Sequence, residues 1–412
     1  MKKIEMLTCN IPVVLDYNPL STSLSIGYYI RCGSKDEPTE IEGMAHLIEH
    51  MRFKGTHKRS AREISEGADF IGANMNAYTD KEITSYYMTL LPEHAIKGLD
   101  ILTDMILQSK FDEEELEKEK LVILEEIKMY EDIPEEHLHD LNCELVLKGS
   151  AVAHNILGTI ESVKKIKRNQ IIDFIKDNYT VNNMVISVSG NFTEKDIIEN
   201  LEENFKNIII SKKVEQNSPF VYNIIDKKII QNSSQVHLCI NLSGISLSDE
   251  WIYHYHLISA ILGGNMSSRL FQTVREEHGL AYTIYTYLTH YQEGGVFTIY
   301  AATSTENYQK AVDLIKSEME KISLLGITDF ELQKAKNQFL SERLIALESN
   351  KNKMSRNAIS YLQYGKIIDI SEIVQKVNEV TRREIEDLAK KIFVTSNYST
   401  VLLGEFNEKS VC

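Results

Sequence analysis

From Leu24 to Cys32 the chain alternates, with Leu24, Ile26, Tyr28, Ile30 and Cys32 interleaved by Ser25, Gly27, Tyr29 and Arg31. A period of two predicts a half-buried antiparallel strand. Gly33-Ser34 and the acidic run behind it turn the chain, and the period becomes helical. Between Met44 and Phe53, one face collects Met44, Leu47, Ile48 and Met51; the opposing face collects His46, Glu49, His50 and Phe53. Lys54-Gly55 reads as the helix stop, a cation in the last turn with glycine behind it. A second helix is predicted over Ser60–Ile71, ended by Gly72. Asn74–Leu91 reads as a hairpin turning at Thr79–Glu82, followed by helices over about Pro92–Gln108 and Glu113–Tyr130.

This pattern occurs twice. Val236, Leu238, Ile240 and Leu242 repeat the strand at Leu24, Ile26, Tyr28 and Ile30, an offset of 212 (236 − 24). Asn183, Gly190, Phe192 and Glu194 match Asn397, Gly404, Phe406 and Glu408 at 214 (397 − 183), and Asp173 and Asp387 keep that offset. Two anchors nearly a domain apart with a drift of two residues indicate a duplicated unit. The expected fold is α+β: two homologous domains, each an antiparallel or mixed sheet with helices packed on one face. The boundaries read as 1–210, a polar linker at 211–226, and 227–412.

Length and composition agree with this. A chain of 412 residues exceeds one ordinary core and suits two domains, and 43% hydrophobic with 25% charged residues is ordinary for a globular protein. A net charge of −15 argues against nucleic acid as a partner, because phosphate binding requires a basic surface. No run approaches the length of a membrane span, and the N-terminus lacks an apolar signal core. The five cysteines, Cys9, Cys32, Cys143, Cys239 and Cys412, form no C-x-x-C and read as free thiols, giving a cytoplasmic expectation.

The chemistry concentrates in the first helix. Two imidazoles one turn apart, with a carboxylate beside them, can bring two ring nitrogens to one zinc ion. Glu49 is then left to take a proton from water at the metal. H-x-x-E-H is the inverzincin order of the zinc-peptidase motifs. The bland alternative, a solvated helix face, fits poorly with the apolar stripe opposite. Such a site needs a third ligand with the fourth position open, and a carboxylate from the acidic helix at 113–130 is the natural source. Glu119 and Glu126 lie two turns apart on one face, but helical pattern alone does not choose between Glu125 and Glu126. The second copy has no such motif: the matching stretch reads Ser259-Ala-Ile-Leu-Gly-Gly-Asn265. Its candidate contribution is Ser267–Tyr282, which holds Arg275 and Tyr282 seven residues apart.

The Gly33-Ser-Lys-Asp-Glu37 run, the G-x-A-H-x-x-E-H-M-x-F-K-G-T block and Asn76-Ala-Tyr-Thr79 together resemble the pitrilysin/insulinase family of zinc metallopeptidases. So do Glu119–Glu126 with the following Ile-Lys-Met-Tyr-Glu-Asp132, Ile156-Leu-Gly-Thr159, and Arg275–Tyr282. The chain is most similar to short bacterial members related to the mitochondrial processing peptidase beta subunit. The resemblance implies one zinc ion held by His46, His50 and Glu126, with Glu49 as general base and Glu119 as an accessory catalytic glutamate. It implies that Asn76 and Ala77 form a strand edge for an extended peptide. Arg275 and Tyr282 come as a pair from the second domain, the tyrosine near the scissile carbonyl. It further implies a clamshell closing on unstructured peptides or precursor segments in an interdomain chamber, and either a homodimer or pairing with a homologous subunit. A non-catalytic, peptide-binding or assembly subunit of a two-subunit processing peptidase is the rival reading. Arg52 departs from the apolar residue usual at its position; it lies outside the ligand stripe, so altered packing is expected there.

Other candidates are weaker. His254 and His256 are two apart on a helical segment and should face different ways. Gly263-Gly264 and Gly294-Gly295 lack the Lys-Ser or Lys-Thr of a phosphate loop and read as turns. His154 and Cys143 read as structural.

Overall fold

A computed structural model of the chain describes residues 2–206, 219–394 and 397–406. Glu408, Cys412 and residues 211–218 of the expected linker lie outside the described residues. The first sheet has six strands: β1 (Lys2–Met6), β2 (Pro12–Tyr17), β3 (Leu24–Ile30), β4 (Asn74–Thr79), β5 (Thr84–Leu90) and β6 (Met184–Gly190). Their order is β1-β2-β6-β3-β5-β4. Only β2 and β6 run parallel; the other neighbours are antiparallel, so the sheet is mixed. Around it lie α1 (Met44–Met51), α2 (Ala61–Phe70), α3 (Ala95–Gln108), α4 (Glu113–Glu131), α6 (Ile160–Lys165), α7 (Arg168–Asn178) and α8 (Glu194–Phe205); α5 (Pro134–Val146) packs elsewhere.

The second sheet comprises β7 (Asp226–Ile230), β8 (Val236–Ser243), β9 (Ala281–His290), β10 (Gly295–Thr303) and β11 (Ser399–Gly404), ordered β7-β11-β8-β10-β9. Again a single pair, β7 with β11, is parallel. Setting β1 aside, the two sheets share one connectivity, as the duplicated sequence pattern requires. The helices of this half of the sequence are α9 (Ile252–Gly263), α10 (Tyr308–Leu325), α11 (Asp329–Ala346), α12 (Asn350–Tyr364), α13 (Ile370–Glu379) and α14 (Arg382–Ile392), of which α12 packs elsewhere. No helix among the described residues is long and apolar enough to cross a membrane.

The expected boundaries divide the sequence; packing divides the chain differently. One compact unit takes Met1–Ile127, His154–Asn217 and Ile345–Ile368; the other takes Lys128–Ala153, Ser218–Leu344 and Asp369–Cys412. Each sequence half thus donates a helix to the other half's sheet. In the first unit, Met354, Ala358 and Leu362 of α12 pack with Val14, Tyr29, Tyr87 and Val185. In the second, Leu138 and Val146 of α5 pack with Cys239, Tyr300, Val401 and Leu403. The exchange corrects the half-buried reading of β3. All seven of its residues are buried, because α12 covers the face that alternation assigns to solvent.

The hairpin forms as β4 and β5 with Asn76 opposite Tyr87 and Ala77 opposite Tyr86. Its turn falls one residue later than expected, where Asp80 accepts backbone N–H groups of Glu82 and Ile83 at 2.7 and 2.6 Å. This leaves β4 at the edge of the sheet, beside α1.

Candidate metal centre

Helix α1 has only two turns, so its ends need outside support. Its N-cap, Gly43, adopts φ 89° and offers no side chain; a Cβ there would lie 2.5 Å from the Leu157 carbonyl oxygen. Glu37 supplies the cap. Its buried carboxylate accepts the N–H groups of Gly43 at 2.7 Å and Ala45 at 2.6 Å. Burial pushes that carboxyl well up, against the pull of the two N–H groups. Met44, Leu47, Ile48 and Met51 sit in the core, which fixes the rotation of the helix and sends His46, Glu49 and His50 to the other side.

The rings of His46 and His50 lie 4.5 Å apart between centroids. Glu126 reaches both from α4: its Oε1 is 4.0 Å from His46 Nε2, and its Oε2 is 3.8 Å from His50 Nε2. One donor atom from each of the three residues falls within a 4.8 Å span, the one such trio among the described residues. Two imidazole nitrogens and a carboxylate oxygen are the donor types that zinc takes, so these three residues would hold the ion. Glu125, the alternative, is exposed on the same helix.

The three residues are shifted in different directions. Burial, helped by neighbouring His50, lowers His46 to about 3, so the ring stays neutral with a lone pair to give. For His50, burial pulls downward but is outweighed by the hydrogen bond and charge of Glu119 and by Glu126 and Glu49, and the net direction is up. Burial raises Glu126. Glu119 is almost fully buried and does not point its oxygens at the trio's centre. Its Oε1 lies 2.8 Å from His50 Nδ1 and its Oε2 lies 2.6 Å from Lys54 Nζ. Burial raises its carboxyl, yet those two partners prevail and the net shift is downward.

Glu49 stands apart from the trio. The Thr79 hydroxyl donates to its Oε2 at 2.6 Å, and burial raises its pKa despite that bond. A carboxylate of raised basicity beside this trio is equipped to accept a proton near neutrality. Thr79 ends β4, so the edge strand that carries Asn76 and Ala77 is tied to the same site; on it the Asn76 side-chain carbonyl accepts the Ala77 N–H at 2.8 Å.

Arg52 lies outside this group, as its position in the helix implies. It is buried, donating to the Met105 and Ile106 carbonyls at the end of α3 at 3.1 and 2.6 Å. Its guanidinium lies over the rings of Phe111 and Tyr179. An apolar side chain there would leave those carbonyls without this donor, so the arginine is a packing element. Lys54 is a correction. The helix ends at Met51, and the ammonium is taken by Glu119 on α4 rather than serving as a plain helix-stop cation.

Residues 12–160 match the family model for "Insulinase (Peptidase family M16)", and 165–339 match that for "Peptidase M16 inactive domain". An uncharacterized zinc protease of Bacillus subtilis, YmxG, is 39% identical over 97% of this chain and 98% of its own length. The chain belongs to the insulinase family, peptidase family M16. An uncharacterized zinc protease of Rickettsia felis is 34% identical over 94% of each chain. The M16 fold is shared with the crystal structure of a peptidase M16 inactive domain from Pseudomonas fluorescens, at TM-score 0.91 and 19% identity over 99% of this chain and 98% of that one.

The second unit of this M16 chain carries Arg275 and Tyr282. Residues Phe271–Glu277 form a π-helical stretch. It places the Arg275 guanidinium 4.6 Å from the Phe271 ring and 4.7 Å from the Tyr282 ring. Tyr282, on β9, is 76% exposed. His254 and His256 do separate on α9: one lies against Trp251 at a tilt, the other packs against Phe339 and His290. Sequence reasoning missed three residues that hold the first-unit site, namely Glu37, Lys54 and Thr79. All three lie inside the motif blocks. For Glu37 a signal was available: a glycine N-cap needs its acceptor from elsewhere, and an acid stands six residues upstream.

Proposed function

We propose that this M16 chain is a zinc-dependent endopeptidase that hydrolyses unstructured peptides or precursor segments. The observation that carries the reading is the convergence of His46, His50 and Glu126 with Glu49 left over beside them. The donor set fits zinc: two imidazoles and one carboxylate, the three protein ligands of a catalytic zinc site. When bound, zinc supplies a Lewis acid that polarises a carbonyl and acidifies water. Glu49 accepts the proton of the attacking water and returns it to the leaving amine, held in place by Thr79. The exposed edge of β4 at Asn76 and Ala77 would receive the peptide as an added strand. Arg275 and Tyr282 are proposed to act on the substrate from the second unit, Glu119 as the accessory glutamate. A setting that excludes folded proteins and a cytoplasmic address belong to this proposal; the latter draws on five cysteines that form no C-x-x-C.

The reading is tested by incubating the zinc-loaded chain with a mixed library of unstructured peptides and identifying products by mass spectrometry. Chelator-sensitive internal cuts are expected, and they should vanish in Glu49→Gln. Cuts that persist in that variant would assign the chemistry elsewhere.

A second reading, a peptide-binding or assembly subunit acting with a catalytic partner, draws support from the "inactive domain" description of the model matching 165–339. Retention of His46, Glu49, His50 and Glu126 favours the enzyme. If the pure zinc-loaded chain cut nothing until a homologous subunit was added, the second reading would replace the first.

A further inference from the structure

We propose that Lys54 is a positioning residue for metal binding, acting through Glu119 to hold His50 and to set α1 against α4. The inference rests on the zinc reading of the trio and goes beyond it by naming what keeps the trio in register.

Three facts carry it. Lys54 Nζ lies 2.6 Å from Glu119 Oε2, and Glu119 Oε1 lies 2.8 Å from His50 Nδ1. Each oxygen of one buried carboxylate is therefore occupied, one by a ligand ring and one by an ammonium. The bond to Nδ1 leaves Nε2 of the same ring toward Glu126, at 3.8 Å. A carboxylate only accepts, so it holds the ring with the proton on Nδ1 and the lone pair on Nε2. The ammonium supplies the counter-charge that a carboxylate requires when it is taken out of water.

The geometry also separates the two histidines. His46 Nδ1 is buried and has no hydrogen-bond partner among the described residues, so no acceptor fixes that ring from its Nδ1 side. His50 is the ring held by a second residue, and its holder sits on α4, two turns from Glu126. The links Lys54–Glu119 and His50–Glu119 span the same gap as the ligand set itself. Released from Lys54, the Glu119 carboxylate can turn away from His50, and α4 can slide relative to α1. Either change pulls the Glu126 oxygen off the point where the two Nε2 atoms converge.

The test measures zinc affinity of the full chain at fixed pH, by competition with a chromogenic chelator, beside the melting temperature of the metal-free protein. The variants are Lys54→Met, Lys54→Arg, Glu119→Gln and the Met/Gln double. Lys54→Met and Glu119→Gln should each weaken zinc binding by about 10–100-fold, the range for residues that orient a ligand. The double variant should be no weaker than Glu119→Gln alone, because both changes break one chain of contacts. Lys54→Arg should restore binding to within a few-fold of the parent. Normal zinc affinity in Lys54→Met would overturn the proposal, and so would a double variant whose loss is the product of the single losses. A loss in Lys54→Met that Arg does not rescue, with a matching fall in melting temperature, would overturn it in favour of a purely structural lysine. A parent chain that binds no zinc sinks the metal reading first and this proposal with it, whereas the other outcomes leave that reading standing.

Discussion

Helices α1 and α9 both follow the strand that starts the repeated pattern, β3 in one sheet and β8 in the other, yet they do opposite things. α1 is short and two-faced: its apolar stripe is buried and its polar stripe presents two imidazoles and a carboxylate. α9 is half as long again and buries Tyr255, Leu257, Ile258, Ile261 and Leu262 around most of its circumference. Its imidazoles pack against aromatic rings, His254 against Trp251 and His256 against Phe339. Equal connectivity with unequal side chains shows that the His46, His50 and Glu126 trio is a property of a few residues placed on the fold.

The sharpest way to break this contrast is to remove the polar stripe of α1. His50→Ala should abolish tight zinc binding and peptide hydrolysis together. Glu49→Gln should keep zinc but lower kcat by about 10²–10⁴-fold, the span of a lost general base. Measuring bound metal and turnover on the same preparations separates a ligand from a proton acceptor. Next in size is the distant carboxylate. Glu126→Gln should weaken zinc strongly, while Glu125→Gln, changing an exposed residue, should match the parent in the same chelator competition.

The exchanged helices sharpen the comparison from the side of stability. α12 seats the buried Met354 under the first sheet, with its carbonyl accepting from Ser187 Oγ at 3.0 Å. α5 instead seats an amide: Asn142 and Asn241 bond reciprocally at 2.9 and 2.7 Å, and Thr298 donates to Asn241 at 2.9 Å. Met354→Ala should cost about 2–5 kcal/mol through a cavity. Asn142→Ala should cost about 1–3 kcal/mol by stranding Asn241, and the double Asn142→Ala, Asn241→Ala less than the sum of its parts. Denaturant unfolding of each variant checks both.

These elements differ in how far the sequence reveals them. Strand β3 and helix α1 are legible because burial writes a period into neighbouring residues, and His46, Glu49 and His50 share one short periodic stretch. The mixed sheets and the doubling are legible for the same reason, repeated at a fixed offset. The choice of Glu126 over Glu125 is not, since adjacent helical positions are distinguished only by which way the helix is turned in its packing. The helix exchange leaves no local trace either, because α5 and α12 carry the same apolar pattern whichever sheet they cover. Lys54 illustrates the limit best. Next to a helix end it reads as a capping cation, and only the approach of α4, some sixty residues later, gives it a carboxylate to hold.

The smallest expected effect concerns an imidazole of α9. His256 is held down to about 3, first by burial and then by the charges of Arg343 and His290. An unfolded chain would bind a proton on this ring near the ordinary 6.5, so protonation favours unfolding. The ring's contribution is therefore complete above that value and is lost as pH falls from about 6.5 toward about 3. Trp251, the single tryptophan, caps the same helix and reports on it by fluorescence. His256→Gln cannot charge in this range, so the acid midpoint seen by Trp251 should move down by roughly half a pH unit. A midpoint that instead moved up would mean the folded protein stabilises a charged ring at this position. Helix α9 would then be an electrostatic element, and the contrast with α1 would lie in which charges each helix holds rather than in packing against chemistry.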